Sequence, residues 1–176
     1  FNSGGSGARP RLDGMNATAF PSGVMTMPVE ATEQVGPVII WRKELRPDSG
    51  GPGQFRGGLG QFMEVGVEDG HEFDFQAMFD RVQHPARGRR DGLAGAPTAI
   101  ELDDGTVMRG KGKQFISPGR TVKMAFPGGG GYGEPKARCI DAVRADLAGG
   151  YISAEAAVKI YGLSEDEVAA ILKERQ

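Results

Sequence analysis

The chain has 176 residues, of which 39% are apolar and 25% charged, and a net charge of −2. That length suits one domain, or one domain with a small appendage, and the slightly acidic balance argues against a nucleic-acid binder. The single Cys139 excludes an internal disulfide framework and fits a reducing, cytoplasmic setting, and no apolar run approaches the ~18 residues of a membrane helix.

The 29 glycines are about twice the usual share of roughly 7%. They gather in three blocks: Gly4-Gly5-Ser6-Gly7-Ala8-Arg9 with Asp13-Gly14, Asp48-Ser49-Gly50-Gly51-Pro52-Gly53 running into Arg56-Gly57-Gly58, and Pro127 to Pro135. The chain opens at Phe1 directly inside the first block, which reads as a piece or processed product of a longer polypeptide. Residues 1–37 read as a long loop with at most one short element, packed down by Phe20, Val24, Met25, Met27 and Val29. Val38-Ile39-Ile40-Trp41 starts a strand ending near Leu45. Residues 59–68 read as a strand bulged at Gly60. Asp69-Gly70 is a hairpin turn, and the alternating run Glu72–Phe79 is its partner strand. Gln83–Pro97 is a basic, glycine-rich loop. Thr98–Leu102 and Thr106–Met108 form a second hairpin about Asp103-Asp104-Gly105, and 121–126 is a further strand. Then the texture changes. Ile140, Val143 and Leu147 mark an amphipathic helix, Ser153 caps a helix through Ile160, and Ser164 with Glu167 makes a capping box for the last helix. The fold class is α+β: a mainly β body over 1–135 with long glycine-rich loops, and a tail of three short helices over 136–176.

Consecutive amides in Gly4-Gly5-Ser6-Gly7 suit an anion-binding nest, with Arg9 adding a fork of donors. The spacing is not that of a P-loop. The competing role is a tight turn with Arg9 paired to Asp13, Glu30 or Glu33. Ser49 lacks a histidine at motif spacing, so an Asp-Ser turn that bonds its own backbone is favoured over a nucleophile. Arg56 is an anion clamp or the partner of Glu44 or Asp48. Glu30 and Glu33 are an acid–base pair or, more simply, turn and arginine partners. Two histidines and one cysteine make no zinc site of known spacing. The run Arg81, His84, Arg87, Arg89, Arg90 reads as a solvated loop or a subunit contact. The four glycines 128–131 imply close backbone approach, flanked as they are by bulky Phe126-Pro127 and Tyr132.

Taken in order, these blocks, together with Pro28-Val29-Glu30, Glu33, Glu44-Leu45, Asp80-Arg81 and the tail residues Asp146, Gly149, Ser153, Ala156 and Tyr161-Gly162, resemble the C-terminal part of the B-type subunit of the hydantoinase/oxoprolinase family. That family includes one large subunit of acetone carboxylase. The resemblance implies an ATP-dependent hydrolase of cyclic amides. ATP sits on an A-type partner that phosphorylates the substrate. A divalent metal is held by Asp and His residues in the N-terminal region of the B-type subunit, and no cofactor is expected within this stretch. The implied partners are the A-type subunit, the remainder of its own subunit and a small-molecule substrate, without nucleic acid or membrane. The stretch alone is expected to be inactive. Ketone carboxylation and a non-catalytic assembly scaffold are the alternatives. Gly4, Gly5, Gly7, Arg9, Asp13, Glu30, Glu33, Ser49 and Arg56 are the candidates for a substrate-pocket wall or anion site. His84-Pro85-Ala86-Arg87-Gly88-Arg89-Arg90 departs from the family's proline- and glycine-rich loop, which leaves the substrate open.

Overall fold

A computed structural model describes residues 2–19, 27–68 and 70–174. In chain order the elements are α1 (Val29–Glu33), β1 (Val38–Leu45), β2 (Gln61–Val67), β3 (Phe73–Met78), β4 (Ala99–Leu102), β5 (Lys111–Ile116) and β6 (Val122–Ala125). A 3-10 turn (Pro135–Ala137) and helices α2 (Ile140–Ala148), α3 (Ala154–Lys159) and α4 (Glu165–Glu174) follow, so the architecture is α+β. One antiparallel sheet has the order β1-β2-β6-β4, and β3 pairs with β5 in a second.

The expected pairing of 72–79 with 59–68 is corrected: β3 runs antiparallel to β5, from Phe73 opposite Ile116 to Met78 opposite Lys111. The reason is edge availability. A strand has two edges, and those of β2 are taken by β1 and β6. β3 instead lays Phe73 and Phe75 over the apolar face of the larger sheet, beside Met63, Val65, Ile100, Val122 and Met124. Two layers closing on one apolar interior is how a sheet hides its hydrophobic face. The expected turn at Asp69-Gly70 lies partly outside the described residues, at Asp69. Phe20, Val24 and Met25 of the packed loop also lie outside them, and Met27 is exposed.

The second expected hairpin is present in reduced form. Glu101 bridges Val107, the Leu102 N–H donates to the Thr106 carbonyl and the Met108 N–H to that of Ile100. The bulge lies not at Gly60 but at Trp41, where the register slips between Ile40 opposite Val65 and Arg42 opposite Glu64. The Trp41 indole then sits over Gly66 of the adjacent strand.

The glycine blocks form a bundle of extended chains packed backbone against backbone. Its central chain is 126–133. Gly128 N–H donates to the Ala96 carbonyl (3.1 Å) and Gly131 N–H to that of Leu93 (2.9 Å). Gly129 N–H donates to the Gly58 carbonyl, and the Gly129 carbonyl accepts from Gly51. The Gly130 carbonyl accepts from Ala8 and that of Gly131 from Arg89. A β-strand alternates between two neighbours, whereas here the same neighbour recurs every third residue, as in a three-fold extended chain. As at the axis of a collagen helix, side chains do not fit. A β-carbon on Gly129 would fall on the Ser6 carbonyl, and one on Gly5 on the Gly58 carbonyl.

In the tail, the Ala156 N–H donates to Ser153 Oγ (3.1 Å). The Ser164 N–H donates to Glu167 Oε2 (3.1 Å) and the Glu167 N–H to Ser164 Oγ, completing the capping box. Hydrogen bonds from Arg144, then from the Ser164 amide and hydroxyl, hold the Glu167 carboxyl down at about 2. Val143, Leu147, Ile152, Tyr161, Leu163 and Val168 make a separate small core. Ile140 begins α2 but stays 41% exposed, so the apolar stripe of that helix starts at Val143.

Gly129→Ala is expected to destabilise the chain by about 3 kcal/mol or more, since the obstructing atom is buried backbone that cannot step aside. Gly36→Ala, with nothing within 4 Å of the added carbon, should be neutral or slightly stabilising. Thermal melts of the two variants check this. Equal melting temperatures would show that the bundle is looser than described.

Candidate functional site

The three glycine blocks meet, and most of their backbone groups face one another. Gly5 N–H donates to the Pro127 carbonyl, Ser6 to Met15, Ala8 to Gly130 and Arg9 to Leu12, at 2.9 Å in each case. Of the amides an anion nest would need free, those of Gly5 and Ser6 are donated to neighbouring segments, as are those of Ala8 and Arg9 beside them. Gly4 packs against Pro127, and Gly7 faces the Gly130 carbonyl.

Beside the bundle lies a buried ionic network that joins it to the helical tail. Asp13 and Arg56 come from the glycine loops, Arg138 from the residues before α2 and Asp146 from α2 itself. Arg56 Nε donates to Asp146 Oδ2 at 3.1 Å, and Arg56 Nη1 to the Gly57 carbonyl at 2.7 Å. Arg138 forks onto Asp13, Nη1 to Oδ1 at 2.8 Å and Nη2 to Oδ2 at 2.7 Å, and Nη2 also reaches Asp146 Oδ2 at 2.8 Å. The Arg56 amide closes the circuit by donating to Asp13 Oδ1 at 2.8 Å. Arg56, Arg138 and Asp146 are buried, and the Arg56 guanidinium lies over the Tyr151 ring. Two cations face two carboxylates, so the charges balance around the buried Arg56, Arg138 and Asp146, with Asp13 at the partly exposed edge. Ionised groups survive burial only when paired and hydrogen-bonded in this way. Burial alone would raise the Asp13 carboxyl, but the hydrogen bonds and charge of Arg138, with the Arg56 amide, hold it below its ordinary value. Burial likewise opposes the charge on Arg138, and its bonds to Asp13 and the field of Asp146 outweigh that and raise it. Burial pushes the nearby Tyr161 hydroxyl up to about 12.

The expected partners of Arg56, Glu44 or Asp48, are thus corrected to Asp146, and the expected partner of Asp13, Arg9, to Arg138. Glu44 instead pairs with Arg42 on its own strand. Arg9 is exposed and forms no ion pair among the described residues. Ser49 is fully buried. Its Oγ donates to the Arg46 carbonyl at 2.5 Å and accepts from the Gly60 N–H at 2.9 Å, so it fastens two turns together. Asp48, expected to bond its own turn, accepts instead from the Ser153 N–H at 2.9 Å and anchors the tail. Glu33 Oε1 accepts from the Ile40 N–H at 2.8 Å at the start of β1, while Glu30 is exposed in α1. The structure therefore gathers the glycine loops, Asp13, Ser49 and Arg56 around the bundle, and places Arg9, Glu30 and Glu33 outside the network. Among the described residues no three His, Cys, Asp or Glu side chains assemble as metal ligands.

Arg138 carries no signal of its own in the sequence, and Asp146 is singled out by the family resemblance. A further signal for Asp146 exists: it lies three residues after Val143 and next to Leu147, on the buried face of α2. A carboxylate in an apolar stripe demands a cationic partner.

Asp146→Ala would leave two buried guanidinium groups short of a partner, and is expected to lower stability by about 3–5 kcal/mol, read as a lower urea midpoint at unchanged slope. The lowered Asp13 carboxyl fixes the sign of the acid response. Its contribution is complete above the unfolded value near about 4 and is lost as pH falls through the lower folded value. Stability should therefore drop below about pH 4, and Asp13→Asn should flatten that limb.

Residues 1–135 match the family model described as hydantoinase B/oxoprolinase. The beta subunit of caprolactamase from Pseudomonas jessenii is 33% identical over 177 aligned residues, covering 92% of this chain and 30% of that protein. The B-type subunit of a putative D-/L-hydantoinase from Pseudomonas sp. (strain NS671) is 30% identical over 168 residues, covering 92% of this chain and 28% of that one. The crystal structure of ATP-dependent caprolactamase from Pseudomonas jessenii superposes with a TM-score of 0.74 at 29% identity, over 99% of this chain and 32% of that chain. The chain spans less than a third of the length of these relatives. With the match covering the whole β-rich region and all three glycine blocks, the chain belongs to the hydantoinase B/oxoprolinase family.

Proposed function

We propose that this chain forms one part of the B-type subunit of an ATP-dependent cyclic-amide hydrolase that works with an A-type, ATP-binding subunit. The observation that carries the reading is the likeness to the caprolactamase beta subunit, which runs through bundle, sheets and helical tail alike. In this reading ATP is bound by the partner subunit and a divalent metal by another part of the B-type subunit. The described residues here assemble no ligand cluster for a metal, and no step is assigned to one.

What this chain's own residues supply is position. Asp13, Ser49, Arg56, Arg138 and Asp146 are hydrogen-bonded to one another or to backbone. Side chains engaged in this way hold neighbouring loops still, and a reaction centre built against them inherits that rigidity. The role in the enzyme is thus that of a stiff wall and a mounting for other parts, and the isolated chain is expected to turn over none of the substrates.

The complete B-type subunit, purified with its A-type partner, should open the ring of at least one of hydantoin, 5-oxoproline or caprolactam only when ATP is present, with ATP consumed in step. Turnover restricted to acetone plus bicarbonate would replace hydrolysis by ketone carboxylation. Ring opening without ATP would overturn the reading altogether.

A further inference from the structure

The turn after β3 holds a non-glycine residue in a left-handed conformation: Arg81, φ 62°. That geometry crowds Cβ against the following carbonyl oxygen, and an ordinary L-residue adopts it rarely. Buried Thr98, 4% exposed, keeps it in place from below. The Thr98 N–H donates to the Arg81 carbonyl at 3.0 Å, and its Oγ1 donates to the Asp80 carbonyl at 2.6 Å. Backbone strain that the surroundings actively maintain is a feature of ligand-binding turns.

Arg81 lines a groove of about 590 Å³ together with His84 and Arg109, over an apolar floor that includes Phe79, Val82 and Met108. Lys111 shares the groove but is neutralised by Asp80 at 2.8 Å. Arg109 is steadied by donating Nη2 to the Lys113 carbonyl at 3.2 Å. Arg81 and His84 are exposed and make no side-chain hydrogen bond or ion pair among the described residues, though the Arg81 charge is felt by the adjacent Asp80 carboxyl. The groove shares Phe79 and Asp80 with an apolar trough between the two sheets, lined by Met63, Phe73, Phe75 and Met124. The free guanidinium of Arg81 at the rim of an apolar cleft of small-molecule size, with Arg109 beside it, forms a polar anchor next to a hydrophobic body site.

We propose that this groove binds a small molecule with an apolar body and a terminal oxyanion, carboxylate or phosphate, with Arg81 as the anchor. The proposal is independent of the hydrolase reading, because binding is read on this chain alone and turnover on the complete enzyme.

The 176-residue chain, isotopically labelled, is titrated with phenyl phosphate, benzoate and, as a neutral control, benzyl alcohol, and followed by amide and arginine resonances. The expected result is a saturable shift confined to residues 79–84 and 108–111 with one or both anions and none with the alcohol. The tighter anion identifies phosphate or carboxylate as the natural group. Arg81→Gln should weaken binding roughly tenfold, the loss of one charge-assisted hydrogen bond. Arg90→Gln removes the same charge from the same loop outside the groove and should change little. Thr98→Val keeps every charge but releases the turn, and should weaken binding in the same direction as Arg81→Gln, with a melt confirming that the variant is folded. Non-saturating shifts with both anions, equal loss in Arg81→Gln and Arg90→Gln, or unaltered binding in folded Thr98→Val would each overturn the proposal.

Discussion

Backbone touching backbone is the constraint from which the rest of this structure follows. Around residues 128–131 the neighbouring chains approach until no β-carbon fits between them, as at Gly129 against Ser6. Contact that close gives peptide groups hydrogen bonds in several directions at once, and it leaves almost no apolar side chain to bury. Glycine loses more freedom on ordering than any other residue, and a core made of it gains little from the hydrophobic effect. The bundle therefore depends on its hydrogen bonds being complete and on support from outside.

That support comes from two sides. On one, the two antiparallel sheets close over Ile100, Ile116, Val122, Met124 and Phe126, and β6 leads directly into the central glycine chain. On the other, the Arg56–Asp146–Arg138–Asp13 network ties glycine loops to α2. A buried ionic network is a poor source of net stability compared with apolar packing, but it is strict about geometry. Each fork accepts its partner in one orientation. The helical tail is thus held to the bundle at a fixed angle by directional bonds, and Asp48 adds a second tether at Ser153.

What can be read from the residues is uneven, for physical reasons. The strand at Val38–Leu45 and the caps at Ser153 and Ser164 are legible because β-branched content and capping side chains act locally. Strand β5 is not, because Lys111-Gly112-Lys113-Gln114 exposes most of its side chains and carries no alternation. The partner of β3 escapes a reading of the residues because a hairpin signal reports a turn and cannot report that both edges of β2 are already occupied. In the candidate site, the glycine blocks are plainly special, yet whether their amides face a ligand or each other depends on chain segments far along the sequence, as Pro127 is for Gly5 and Gly130 for Ala8. The same distance hides Arg138, whose carboxylate partner Asp13 lies 125 positions earlier.

The order in which the bundle's pieces leave the ribosome has a consequence for how this protein reaches its native state. Gly5 meets Pro127, Ala8 meets Gly130 and Gly51 meets Gly129, so the axis of the bundle is the last of its strands to be made. Until it arrives, the earlier glycine segments have only one another, as where the Gly58 N–H meets the Ser6 carbonyl, and lack the partners that 126–133 supplies. Closing loops of that span precedes any energetic return, which places the barrier to folding late and makes the process slow. A chain halted before residue 126 would present unpaired peptide groups along every one of these segments, and such a species is a natural client for chaperones.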